Sequence, residues 1–181
     1  MFSAPPGAGP RRAAFTLLEL LAVIALIALL AGIVLGLGPR ASATGRTARA
    51  RAELAALAAA LENGQRSLGD YPQTEDPAQL LHALIGRRNP HNAVIAARVL
   101  IETARFRTAD GRDPFADDTA VLIDPWDRPY RYVYKTRAPW TNAGYVLWSA
   151  GPDGRDSGTL LPGGFPDPTP PENADNIYAN R

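Results

Sequence analysis

The chain opens with an apolar run. Residues 15–37 hold 23 positions in which Glu19 is the one ionisable side chain. About 20 apolar residues span a bilayer as a helix, so the run is long enough. It shows no polar face at period 3.6, as a globular surface helix would. A carboxylate within such a span costs about 2.5–3.5 kcal/mol near its centre and less toward its end. Glu19 therefore calls for a partner, and the run supplies none. Gly32, Gly36 and the Gly38-Pro39 pair predict a kink or local melting over 36–45, because proline removes a helical hydrogen bond. From 46 to 61 the pattern turns amphipathic. Leu54, Leu57 and Leu61 recur at i, i+3 and i+7 with alanine between, while Arg49, Arg51, Glu53 and Glu62 take the other sides. This half predicts one helical stripe against a sheet, running to Leu68 before Gly69-Asp70-Tyr71-Pro72 ends it.

Asp76 or Thr74 caps a second helix with Pro77 at its first position. Leu80, Leu81, Leu84 and Ile85 form its apolar side, with His82 at the edge. Residues 86–92 read as a basic, turn-rich break. The apolar positions Val94, Ala97, Val99, Leu100 and Ile101 predict a further helix over 93–105, and 108–118 is a polar, acidic loop. The period then changes. Val121-Leu122-Ile123 leads into Asp124-Pro125-Trp126-Asp127-Arg128-Pro129-Tyr130, and residues 130–135 alternate aromatic or apolar with basic side chains, which is strand period. A turn over 137–144 and the run Tyr145-Val146-Leu147-Trp148-Ser149 complete a hairpin. Six prolines between 152 and 171 predict an irregular end. The fold class is α+β: a long N-terminal transmembrane and spine helix packed on a small C-terminal antiparallel sheet, with a loop-rich C-terminus.

Of 181 residues, about 40 belong to the opening segments, which leaves one soluble domain. Net charge is +1, with 19 basic and 18 acidic side chains. Nothing in this balance argues for nucleic acid as a partner. The chain has no cysteine, so disulfides and thiolate metal sites are excluded. Arg11 and Arg12 precede the apolar run and Arg40, Arg46, Arg49 and Arg51 follow it, so a charge count alone leaves orientation open. No Gly-x-Ser-x-Gly, zinc or phosphate-loop pattern occurs. Asp110, Asp113, Asp117 and Asp118 lack the spacing and distal Glu of an EF-hand. Trp126, Tyr130, Tyr132 and Trp148 read as core and hairpin packing.

Arg11-Arg12-Ala13-Ala14-Phe15-Thr16-Leu17-Leu18-Glu19-Leu20-Leu21, followed by an apolar helix, resembles the processing site of type IV prepilins and type II secretion pseudopilins. The resemblance implies a leader over 1–14, cleavage between Ala14 and Phe15, and methylation of the new N-terminus. It further implies a transmembrane helix over 15–38 and a periplasmic head over 39–181. Glu19 would neutralise the N-terminal ammonium of a neighbouring subunit, where opposite charges in low dielectric relieve each other's burial. The family usually has glycine before the cut, where this chain has Ala14. Removing Arg11 and Arg12 leaves 17 basic against 18 acidic side chains.

Asp-Pro-Trp-x-x-Pro-Tyr before one strand, with Tyr-x-Leu-Trp-Ser-Ala-Gly-Pro-Asp-Gly ending the next, resembles the major pseudopilins of type II secretion. Asp127 departs from the family's usual glycine. The resemblance implies a non-enzymatic structural subunit, held in the inner membrane by a single pass and polymerised into a periplasmic pseudopilus. Its implied partners are copies of itself, minor pseudopilins, prepilin peptidase and the inner-membrane assembly platform. It also implies one calcium ion in the loop after the last strand. The carboxylates would come from Asp153 and from Asp175, with Asn176 as the alternative register. Carbonyls would come from Ala150, Arg155 and Asn173. Hard oxygens in a flexible loop suit calcium. The chain is longer than the family pattern between Arg155 and Glu172, so Asp156 and Asp167 are substitute ligands. Two rivals remain. A type IV pilin or minor pseudopilin shares the N-terminus but carries a different head. A membrane-anchored envelope enzyme or binding protein needs a catalytic constellation.

Overall fold

The computed structural model describes residues 16–135, 140–142 and 144–179, with the side chains of 33–41 excepted. The chain divides into two compact units, Met1–Ser42 and Ala43–Arg181. Helix α1 (Leu17–Leu68) contributes to both. The expected local melting over 36–45 is not found: α1 runs through these residues without a break. One proline removes a single donor, and the flanks are rich in strong helix formers.

In the first unit the leucines, isoleucines and Val23 of residues 17–30 are exposed, Leu17 at 83%. Among the described residues no helix is long and apolar enough to cross a membrane. In the second unit the predicted stripe of α1 is the core. Ala50, Leu54, Leu57, Ala60 and Leu61 are buried there, packed with Leu80, Leu81, Leu84, Ile85, Tyr130, Tyr132 and Leu147. Helix α2 (Pro77–Leu84) begins as its sequence predicts: Asp76 is the N-cap and its carboxylate accepts from the Ala78 N–H at 2.8 Å.

Residues 93–105 do not form the predicted helix. Residues 93–100 form no regular element beyond an antiparallel bridge of Val94 to Arg88, and Thr103–Arg105 is a 3-10 turn. The N–H groups of Ile95, Ala97 and Leu100 donate to the carbonyls of Arg87, Gly86 and Leu84 at 2.9, 2.8 and 2.8 Å. The segment thus satisfies the last carbonyl of α2, Leu84, and two in the turn just after it. Gly86, at φ +77, lets the two backbones meet, since a Cβ there would collide with the Ala97 carbonyl. Valine and isoleucine favour such a non-helical path.

Strand β1 (Arg107–Thr108) pairs antiparallel with β2 (Leu122–Ile123). Strands β3 (Arg131–Tyr134) and β4 (Tyr145–Ser149) form the predicted hairpin, with Arg131 opposite Trp148 and Tyr134 opposite Tyr145. Along β3, Arg131 is exposed while Tyr132 and Tyr134 are buried. The insertion folds as a small ladder of β5 (Leu160–Leu161) and β6 (Phe165–Pro166). Strand β7 (Ile177–Tyr178) adds to the free side of β4, giving the order β3-β4-β7. As the central strand, β4 is buried throughout. The hairpin is fastened to the segment after α1 by tyrosine hydroxyls. Tyr134 donates to Asp70 at 2.5 Å and Tyr132 to the Pro72 carbonyl at 2.9 Å, while Tyr71 ties that segment back to α1 by donating to Glu62 at 2.9 Å.

Candidate functional site

Glu19 lies in the first turn of α1, where a negative side chain complements the helix dipole. Its N–H donates to Thr16 Oγ1 at 3.2 Å, and the Leu20 N–H donates to the Thr16 carbonyl at 3.2 Å. Thr16 thereby caps the helix just ahead of the carboxylate. Glu19 is exposed among exposed leucines. Ala14 and Phe15, the expected cleavage and methylation positions, lie outside the described residues.

The second region is the exit from β4, built on Asp124. This carboxylate is fully buried. Its Oδ1 accepts from the N–H groups of Trp126 and Arg128 at 2.9 and 3.1 Å, and its Oδ2 accepts from the Ser149 hydroxyl at 2.5 Å. Asp124 thus closes the Asp-Pro-Trp turn and grips the end of β4. Asp127 has φ +66, a left-handed conformation that glycine adopts freely and aspartate tolerates. That accounts for a position where glycine is usual, and the Asp127 carboxylate gains an ion pair with Arg107 at 2.8 Å. Arg128 reaches back to donate to the Gly151 carbonyl at 2.8 Å. These supports escaped sequence reasoning. The available signal was a buried-type aspartate before Pro-Trp, paired with a serine ending the next strand.

The expected calcium residues gather around this exit. The Asp153 N–H donates to Asp175 Oδ2 at 2.9 Å, and Asp153 Oδ1 accepts from the Arg155 N–H at 2.7 Å. Gly151, at φ +65, lies so close to the Asp175 carbonyl that a Cβ would collide with it. Asp175 Oδ1 and Asn176 Oδ1 are buried and accept no hydrogen bond. Buried acceptors are rarely left unpaired, and a hard cation is one way to satisfy them. Ala150 is buried and Arg155 exposed. Asn173 is buried with its side chain turned to the insertion, donating to Ser157 Oγ at 2.8 Å and to the Asp167 carbonyl at 2.7 Å. The two substitute carboxylates have other partners. Asp156 Oδ2 accepts from Trp148 Nε1–H at 3.1 Å, and Asp167 Oδ1 accepts from the Thr169 N–H at 2.9 Å. Among the described residues no three His, Cys, Asp or Glu side chains converge as a metal-binding group. Two carboxylates with amide and carbonyl oxygens remain a donor set that fits calcium rather than a softer metal.

The family described as type II secretion system (T2SS), protein G matches residues 40–162, and the prokaryotic N-terminal methylation motif matches residues 9–35. Among curated proteins, the chain is 27% identical over 153 residues to the type II secretion system core protein G of Pseudomonas aeruginosa, covering 82% of this chain and 89% of that one. No solved structure matches.

Proposed function

The chain belongs to the type II secretion system protein G family and is a structural subunit of a pseudopilus; we propose that it is cut between Ala14 and Phe15 by prepilin peptidase and polymerises with its own copies through α1. The observation that carries this reading is the methylation-motif match over 9–35, running on into the protein G match from residue 40. Residues 15–38 would anchor the subunit in the inner membrane with the head in the periplasm. Minor pseudopilins and the inner-membrane assembly platform complete the set of partners. The role is mechanical rather than catalytic. The exposed leucines of residues 17–30 would be covered by membrane or by neighbouring helices, and Glu19 would meet a neighbour's N-terminal ammonium, since a charge in low dielectric calls for an opposite one. Glu19→Ala is expected to leave the precursor processed, read as a mass loss on gels, while abolishing pseudopilus assembly in sheared fractions. Unchanged assembly overturns this role for Glu19.

We further infer that the β4 exit loop takes one calcium ion, held by Asp153 and Asp175 with carbonyls of Ala150, Arg155 and Asn173. The ion would supply positive charge between two acids that now share one backbone contact. Its residues tie the loop to the sheet beside β7. A metal binding only the folded state at about 100 times its Kd adds about 2.7 kcal/mol. At about 2–4 °C per kcal/mol, the melting midpoint of the full chain in detergent rises by roughly 5–10 °C with calcium. Chelator is expected to remove that rise, and Asp175→Asn to make it unattainable. A midpoint indifferent to calcium disposes of the site.

A further inference from the structure

The groups inferred to hold calcium, two carboxylates and three carbonyls, supply five oxygens, because each carboxylate has one oxygen already engaged. Asp153 Oδ1 accepts from the Arg155 N–H at 2.7 Å and Asp175 Oδ2 from the Asp153 N–H at 2.9 Å. Calcium takes six to eight oxygens, and asparagine amide oxygens are among those it uses. One more stands beside Asp175. Asn176 Oδ1 is buried and accepts no hydrogen bond, the same condition as Asp175 Oδ1. Both residues line one groove of about 530 Å³, together with Pro152, Ala174 and Tyr178. A buried acceptor without a donor costs about 1–3 kcal/mol, and a single cation satisfies both.

The nitrogen of the same amide is committed elsewhere. Asn176 Nδ2 donates to Asn173 Oδ1 at 3.2 Å, to the Tyr178 hydroxyl at 3.3 Å and to Asp156 Oδ1 at 3.4 Å. Asp156 and Asn173 are the residues that clamp the insertion. Asp156 also accepts from Trp148 Nε1–H at 3.1 Å and from the Gly158 N–H at 3.0 Å. Asn173 Oδ1 also accepts from the Ser157 N–H at 3.0 Å, and its Nδ2 donates to Ser157 Oγ and the Asp167 carbonyl. These contacts fix which way the Asn176 amide faces. Turned over, it would set its oxygen against two oxygens that already act as acceptors. The nitrogen therefore serves the insertion, and the oxygen is left for the exit loop.

We propose that Asn176 supplies a sixth oxygen to the calcium ion and, through its Nδ2–H groups, couples occupancy of that site to the insertion over 156–171. The proposal rests on the calcium reading of the exit loop. A cation on Oδ1 draws electron density from the amide and strengthens its N–H donors toward Asp156 and Asn173. Hydrogen bonds from the rest of a ligand also orient the atom that meets the metal. The insertion needs such support, since the β5–β6 ladder has two residues in each strand and an isolated hairpin is marginal in water. Aspartate at this position would offer the ion an oxygen but would face Asp156 with a second negative charge. Of the two, asparagine alone both binds and donates.

The test uses the full chain in detergent micelles, titrated with calcium and read by melting midpoint and amide hydrogen exchange. In the wild-type chain calcium is expected to raise the midpoint and to slow exchange at Ser157 and Gly158. Asn176→Ala is expected to need about tenfold more calcium for the same rise and to leave exchange at these amides indifferent to the ion. Asn176→Asp keeps an oxygen for the metal and loses the donor, so the rise is expected to remain while the exchange response disappears. The midpoint in chelator shows that each variant folds, and if the alanine variant does not, Asn176→Asp carries the test through exchange. A wild-type midpoint indifferent to calcium sinks the underlying calcium reading. A wild-type rise that Asn176→Ala matches at the same calcium concentration overturns only the role of Asn176. A rise without slower exchange at Ser157 and Gly158, or slower exchange that survives in Asn176→Asp, overturns the coupling.

Discussion

Glu53 is buried at 7% exposure beside Leu54, Leu57 and Leu61, although its place in the sequence predicts another side of α1. Two groups hold it. Arg49 Nε donates to its Oε1 at 2.7 Å from the preceding turn, and the Tyr130 hydroxyl donates to its Oε2 at 2.5 Å from the far side of the core. Tyr130 is 2% exposed and directly follows the Asp-Pro-Trp turn, so this bond ties the spine helix to the start of the hairpin. Burial first, and then the hydrogen bond to Glu53 and its charge, push the Tyr130 hydroxyl far above its ordinary range, so it remains a donor. Tyr130→Phe keeps the ring and its packing and deletes the donor. A hydrogen bond to a charged group contributes about 1.5–3 kcal/mol, and here the loss leaves a buried carboxylate oxygen unpaired. A loss of about 2 kcal/mol follows, because Arg49 still serves the other oxygen. For a chain of this size that lowers the melting midpoint by about 4–8 °C. The double substitution Glu53→Met with Tyr130→Phe removes both polar ends at once. Replacing a buried pair with apolar groups of similar volume is close to neutral, so the double variant is expected to melt above Tyr130→Phe alone. Thermal unfolding of the full chain in micelles, followed by circular dichroism, measures both. If Tyr130→Phe melts within about 1 °C of wild type, the bond contributes little. If the double variant melts below the single one, Glu53 is stabilising for some other reason.

Leu57 is fully buried at the middle of the same stripe. Leu57→Ala is expected to cost about 2–5 kcal/mol through lost burial and the cavity left behind, read as a lower denaturant midpoint at unchanged slope. His82 gives a pH dependence. Burial first, reinforced by Arg88 and Arg87, holds its imidazole below the ordinary range against the pull of Asp118 and Asp76. The unfolded chain therefore binds a proton that the folded chain refuses, so this contribution is complete above about pH 6.5 and falls as pH drops through the window below it. His82→Phe is expected to flatten that slope between about pH 7 and pH 5, and a variant with the same slope as wild type refutes the assignment. Asp70 does not confuse this window. Burial opposes its charge, but hydrogen bonds from Tyr134, the Tyr71 N–H and Gln73, with Lys135 nearby, hold its carboxyl below the ordinary value of 3.8, and its contribution is lost only as pH falls further.

The parts of the fold that sequence reasoning reached are those fixed by neighbours along the chain. Leu54, Leu57 and Leu61 share a helix face by period alone, Asp76-Pro77 starts α2 by local capping, and the tyrosines of β3 alternate by pleat. Residues 93–105 escaped it because Val94, Ala97 and Ile101 fit a helical period as readily as an extended path. The decision was made by the carbonyls ending α2 and by Gly86. Strand β7 escaped it for the same kind of reason, since two residues become a strand only where β4 offers a free edge. The meeting of Asp153 with Asp175 spans 22 residues and was legible through family resemblance rather than through local pattern.

That long connection also explains how the chain accommodates its insertion without separating the two acids. Closing a longer loop costs little, since each doubling of length adds about 0.6 kcal/mol. The inserted residues are held at both ends by contacts of their own. Midway, in the turn between β5 and β6, the Gly163 carbonyl accepts from the N–H groups of Thr141 and Asn142 at 3.0 and 2.9 Å. Asn173 draws the two ends together, its side chain donating to Ser157 Oγ and to the Asp167 carbonyl. Asp156, drawn onto Trp148, fixes the start of the insertion against the sheet. Between these contacts lies the β5–β6 ladder, and Asp175 Oδ2 accepts from the Asp153 N–H beside Gly151.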